Sequence, residues 1–244
     1  MNYYLTIDLG ATKTLVALFN QNGKIIKTSR FPSEHDFTAF SNKLFTQLKP
    51  LKNYPIKNIT FAICGLVKNN RPTLLRNLGW NNPPLSACIK KLFNCPIYFL
   101  NDADAATYYE SRFYSGHIMY LTFSTGLGGG LAIDKKLLKE SSSFEPGELI
   151  VEWKDESVRW TTIASARSLG SAYNTRVSTL KNLRLLRDLS RRLTAGLTPL
   201  ILKYQPDTII FGVITILRHF PTIRLYRDQS VSAVICEMSH LAIK

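Results

Sequence analysis

Apolar residues come in strand-length runs along the first third of the chain. Three such runs lie at residues 3–9 (YYLTIDL), 14–19 (TLVALF) and 24–30. A Gly/Thr turn separates the first two. Gln21-Asn22-Gly23 separates the next two and carries the strongest short-range hairpin signal. The pattern then changes period: Phe37, Phe40, Leu44 and Leu48 share one face of a helix predicted over 36–48. Residues 56–66 form a buried strand ending in Gly65, residues 85–93 a short helix, and residues 96–100 another buried strand. That strand ends at Asn101-Asp102, where the chain turns into a helix (ADAATYYES). The second half starts over, with a strand at 117–124, a Gly turn at 125–130 and a strand at 131–134. An irregular stretch, residues 140–160, leads to helices near 161–174 and 180–203 and a strand at 207–213.

Alternating strands and helices predict mixed α/β layers. The two halves also open alike, YLTIDLGATKT against YLTFSTGLGGG. This repeat predicts two related domains, 1–114 and 115–244, facing a cleft. A tight Gly/Thr turn bares backbone N–H groups that form a concavity for anions. Two such turns from facing domains can hold a chain of phosphates from both sides, although each alone also fits an ordinary hairpin. No GxxxxGK[ST] motif is present, which excludes a P-loop protein.

Composition narrows the class. The chain has 244 residues, is 45% hydrophobic and 20% charged, and so has the makings of a real core. Its start lacks the charged-then-apolar pattern of a signal peptide, and no apolar run nears the ~18 residues of a membrane span. A cytoplasmic protein without a membrane partner is expected. Cys64, Cys88, Cys95 and Cys236 are scattered without zinc-ligand spacing and read as reduced thiols. The net charge of +14 favours polyanionic partners. The densest basic patch, residues 181–192, has Leu at helical spacing and reads as the wet face of an amphipathic helix. With no DNA- or RNA-binding signature, nucleic acid is a minor alternative.

Six segments in order resemble the ROK sugar kinases, within the actin-like (ribonuclease H-like) ATPase fold. They are IDLGATKT (7–14), NLGWNNPPL (77–85), LNDADAATYYE (100–110), STGLGGG (124–130), ASARSL (164–169) and QPDTIIFG (205–212). The resemblance implies two actin-like domains and an ATP-dependent sugar kinase of glucokinase type. Asp102 would be the general base for the acceptor hydroxyl; its plainer reading is a helix N-cap. Asp8 would hold Mg²⁺ directly or through water. Gly10, Thr12 and Lys13 would meet the terminal phosphates from the first turn, and Thr125, Gly126, Gly128 and Gly129 from the second. Gly212 would let the adenosine approach the backbone. Asn101 would bond a sugar hydroxyl, and Gly65 sits where the family closes over the sugar. The implied cofactors are ATP and Mg²⁺; the implied partners are the sugar and the nucleotide, with a homodimer allowed.

The departures are as informative. Where the family reads Glu-x-Gly-His, this chain has Glu145, Gly147 and then Glu148. The zinc cysteines that follow in the family are absent, so no zinc is expected, and the next sugar-contacting glutamate falls on Thr161. Carboxylates at Glu145 and Glu148 would suit an aminosugar's positive charge. Ser124 and Val213 stand where glycines are usual, and the chain after 213 leaves the family pattern. Two readings compete with the ATP-dependent kinase: a polyphosphate-dependent glucokinase, which the short zinc-free chain, the NDADAA run and the basic charge suit, and a non-catalytic sugar sensor on the same fold.

Overall fold

The computed structural model describes residues 1–124, 126–174, 182–213 and 222–224. It divides into two compact units, Met1–Ala105 and Ala106–Lys244. Thr125 and most of the chain after 213 therefore lie outside the described residues, as do residues 180–181 and the side chain of Val213.

In the first unit, β1 (Tyr3–Leu9), β2 (Lys13–Asn20) and β3 (Ile25–Pro32) form the expected antiparallel meander. The β2–β3 link is a tight turn in which Gly23 takes φ 76°. Next come α1 (Phe37–Leu48), β4 (Ile56–Ile63), β5 (Leu66–Lys68), β6 (Arg71–Leu75), β7 (Trp80–Asn81), α2 (Leu85–Lys90) and β8 (Ile97–Asn101). α3 (Asp102–Ser111) follows directly. The main sheet has the order β3-β2-β1-β4-β8, with β1, β4 and β8 mutually parallel. Leu5, Ile7 and Leu9 of β1 alternate inward with Ile59, Phe61 and Ile63 of β4, all at 0% exposure. Phe40, Leu44 and Leu48 of α1 belong to the same core, as the helical spacing required. Asp36 starts α1 by accepting the Ala39 N–H at 2.7 Å. Trp80 is buried against Phe37 and Phe40 and donates its Nε1–H to the His35 carbonyl at 2.6 Å.

The second unit repeats the plan. β9 (His117–Phe123), β10 (Leu127–Ile133) and β11 (Lys136–Leu137) form its meander. Then come β12 (Ile150–Trp153), β13 (Glu156–Arg159), α4 (Trp160–Ala164), α5 (Ala166–Tyr173) and α6 (Leu183–Tyr204). β14 (Thr208–Val213) and β15 (Thr222–Arg224) complete it. The sheet order is β11-β10-β9-β14-β15, the same plan as the first up to the fifth strand. β14 runs parallel to β9, but β15 runs antiparallel to β14.

Three expectations need correction. Residues 127–130, expected in a Gly turn, lie in β10, whose glycines make room for neighbours packed on the strand. A side chain at Gly129 would collide with Phe144 and Pro146, and one at Gly130 with Thr107. The stretch expected to be irregular contains the β12–β13 hairpin. The single helix expected over 161–174 breaks at Ser165, which takes an extended conformation and caps α5 by accepting the Ser168 N–H at 3.3 Å.

Candidate active site

In the first unit, the parallel register places Asp8 opposite Ala62, and Ile63 opposite Asn101. The carboxyl ends of β1, β4 and β8 thus lie side by side, where α/β sheets bind ligands. They carry Asp8, Cys64 and Asn101-Asp102. Asp8 reaches solvent, yet the protein packed around it raises its carboxyl above the ordinary value, with Arg30 opposing the shift. Arg30 stands two strands away in the same cross-strand row, through Leu15. The Cys64 thiol is pushed up to about 12, first by burial, then by the charge of Asp102, with a smaller push from Asp8. Both carboxylates therefore act on one thiol. Asp8, a hard carboxylate ligand at this strand-end rim, fits Mg²⁺ carried by phosphates, and a dication there would relieve the crowding of negative charge.

Asn101 has structural duties that sequence reasoning missed. Its Nδ2 donates to the Gly65 carbonyl at 2.9 Å, and its Oδ1 accepts the Ala103 N–H at 2.8 Å. The Asp104 N–H reaches the same oxygen at 3.4 Å. Asp102 Oδ1 also accepts the Ala103 N–H, at 2.9 Å. Asn101 thus carries much of the capping that was the plain alternative for Asp102. Gly65 is needed for close packing, since a Cβ there would press on the Leu74 carbonyl and the Leu75 side chain.

The first Gly/Thr turn is closed by the Gly10 N–H donating to the Lys13 carbonyl at 3.1 Å. Thr12 and Lys13 are exposed on it. Ser33, just past β3, braces it: its N–H donates to the Thr12 carbonyl at 3.0 Å and its Oγ donates to the Gly10 carbonyl at 2.8 Å. The Thr14 hydroxyl lies 2.8 Å from Ser33 Oγ. No local pattern marks Ser33, because its partners are distant in sequence.

In the second unit, the 3₁₀ turn Pro146–Glu148 packs on the start of β10, with Gly147 pressed against the Leu127 carbonyl and near Thr161. A Cβ on Gly126 would lie 3.8 Å from Thr161 Oγ1. Gly126, Glu145, Glu148 and Thr161 are thereby gathered in one region, with both glutamates exposed. Glu148 meets Arg159 at 3.3 Å, a partner the sequence did not announce. Gly128 is half-buried, whereas Gly129 is buried beneath Phe144 and Pro146 and serves packing. A side chain at Gly212 would overlap the Tyr120 hydroxyl, so that glycine makes room for an aromatic ring of its own sheet. Thr125 lies outside the described residues. Among the described residues, no group of three or more His, Cys, Asp and Glu side chains is placed to hold a metal.

A family model described as the ROK family matches residues 4–157. Over 141 residues the chain is 31% identical to an N-acetylmannosamine kinase of Yersinia pestis (strain Pestoides F), covering 55% of this chain and 48% of that protein. The chain spans about half the length of the curated relatives it matches. Two crystal structures share the fold. One is a ROK family glucokinase from Streptomyces griseus in complex with glucose and AMPPNP, with TM-score 0.69 and 21% identity over 86% of this chain and 82% of that one. The other is an inorganic polyphosphate/ATP-glucomannokinase from Arthrobacter sp. strain KM, with TM-score 0.67 and 18% identity over 98% of this chain and 99% of that one.

Proposed function

The chain belongs to the ROK family, and from that membership we propose that it is a sugar kinase, moving the terminal phosphoryl group of ATP to a hexose hydroxyl. The observation that carries this reading is that Asp8 and Asp102 lie at the carboxyl ends of β1 and β8, on either side of β4, with both charges felt by Cys64 at the end of β4 and the Gly10–Lys13 turn following β1. A pure binder has no use for a base there. Asp102 takes the proton of the acceptor hydroxyl as the bond to phosphorus forms, and Asn101 orients that hydroxyl. Asp8 would hold Mg²⁺, which would offset the charge of the phosphates. The turn N–H groups of the first unit hold the donor's terminal phosphates. Glu148, paired with Arg159, is partly neutralised and so favours an aminosugar less than an unpaired carboxylate would. Phosphoryl transfer needs little more than such positioning and charge stabilisation. The reading includes a cytoplasmic location and allows a homodimer.

Polyphosphate as donor is the second reading. The net charge of +14 favours it, as does the likeness, over nearly the whole of both chains, to an enzyme named for both donors. The test is phosphoryl transfer to a panel of hexoses and aminosugars with either donor. Asp102→Asn is expected to lower turnover by about 10²–10⁴-fold, the usual worth of a general base. No turnover by the unaltered protein with any sugar or donor overturns the kinase reading in favour of a sensor.

A further inference from the structure

The three bonds at Ser33 orient the Gly10–Lys13 turn. Ser33 has a single hydroxyl proton, and the Gly10 carbonyl takes it. The contact to Thr14 is therefore donated by Thr14, a residue at 0% exposure, so the chain of bonds is anchored in the core. In a trans peptide, the carbonyl of one residue and the N–H of the next point in opposite directions. Turning the carbonyls of Gly10 and Thr12 toward Ser33 aims the N–H groups of Ala11 and Lys13 away from it. Neighbouring N–H groups aimed to one side make an anion concavity.

The segment after Ser33 is held as well. Glu34 pairs with Lys43, the His35 carbonyl accepts the Trp80 Nε1–H, and Asp36 caps α1. Ser33 is thus a fixed post rather than a passing contact. We propose that Ser33 is a positioning residue for the phosphate donor: it holds the turn so that the Ala11 and Lys13 N–H groups face the donor's terminal phosphates. This rests on the kinase reading above.

Ser33→Ala, Ser33→Cys and Ser33→Thr in the full chain test it, with kinetics for both substrates and calorimetric titration with ATP and Mg²⁺. Loss of the hydroxyl is expected to raise the donor KM and the ATP Kd by about three- to tenfold, the worth of one or two neutral hydrogen bonds. The sugar KM should stay within about twofold, threonine should restore donor binding, and cysteine, close in volume to serine but a weak donor, should behave like alanine. The proposal falls if donor and sugar constants move together, if neither moves, or if threonine fails to restore binding. An unaltered protein that binds neither ATP nor polyphosphate overturns the kinase reading and this inference with it. One that transfers phosphate while Ser33→Ala and Ser33→Cys bind ATP equally well overturns the inference alone.

Discussion

Asp8 is held in a form the fold disfavours. Its carboxyl lies above the ordinary value because of the protein packed around it, although Arg30 pulls the other way. A raised folded-state pKa means that the folded chain binds the proton more tightly than the unfolded chain. The cost of the charge is therefore absent at acid pH and grows as pH rises through the carboxylate range. Asp8→Asn should raise the melting temperature at neutral pH while abolishing transfer, and the gain should shrink as pH falls toward about 4 and be absent below it. Melting curves across pH check this; a variant less stable at pH 7 would refute it. Asp188 illustrates the opposite sign. Desolvation pushes it up, but hydrogen bonds from Arg192 and Tyr173 outweigh that and lower it, as befits a structural tie between α5 and α6. At this scale, the residues set in family motifs were legible: Asp8, Asn101 and Asp102 sit at strand ends as expected. Ser33, Arg30 and Arg159 were not, because each acts through a partner on another element.

Among the elements, α6 shows how a helix can be bound to one glycine. A side chain at Gly196 would overlap the Trp160 ring, which is fully buried and donates its Nε1–H to the Arg192 carbonyl at 2.9 Å. In an exposed helix Gly→Ala stabilises by about 1 kcal/mol. Here the close approach of α4 reverses the sign, and Gly196→Ala should cost about 1–3 kcal/mol net, as overpacking does. A denaturant midpoint shifted upward instead would mean that the two helices separate without loss. The hairpins show why some elements escaped notice. Asn69-Asn70, Asp134-Lys135 and Lys154-Asp155 all take positive φ at both turn residues, the two-residue form suited to strand twist. Only the first pair has the composition that marks such turns. A lysine in the left-handed region costs energy that strand pairing on either side must offset, and that is invisible locally. The long runs, by contrast, were legible because period alone separates α1 from β1 and β4.

For the whole molecule, charge and repetition matter more than any one contact. A net charge of +14 spread over many sites attracts a long polyanion more than a neutral sugar. If polyphosphate is a donor, its KM should rise steeply between about 0.05 and 0.5 M salt, as screening shortens the Debye length, while the sugar KM stays nearly flat. Parallel dependence for both would point to a salt effect on the fold.

The two sheets share their order up to the last strand. A parallel strand needs a crossover of a dozen or more residues, and β14 ends at Val213 while β15 begins at Thr222. That gap is too short, so β15 runs back against β14. In the first sheet the fifth strand, β8, runs forward and delivers Asn101-Asp102 at its carboxyl end. The second sheet presents the amino end of a reversed strand in the matching place. A chimera built from two copies of the first half would carry two such Asn-Asp strand ends, and one built from two copies of the second would carry none. The near-symmetry of the two sheets is therefore broken at one place, the polarity of a single edge strand, and only the first sheet has a forward-running strand there to carry an Asn-Asp pair at its end.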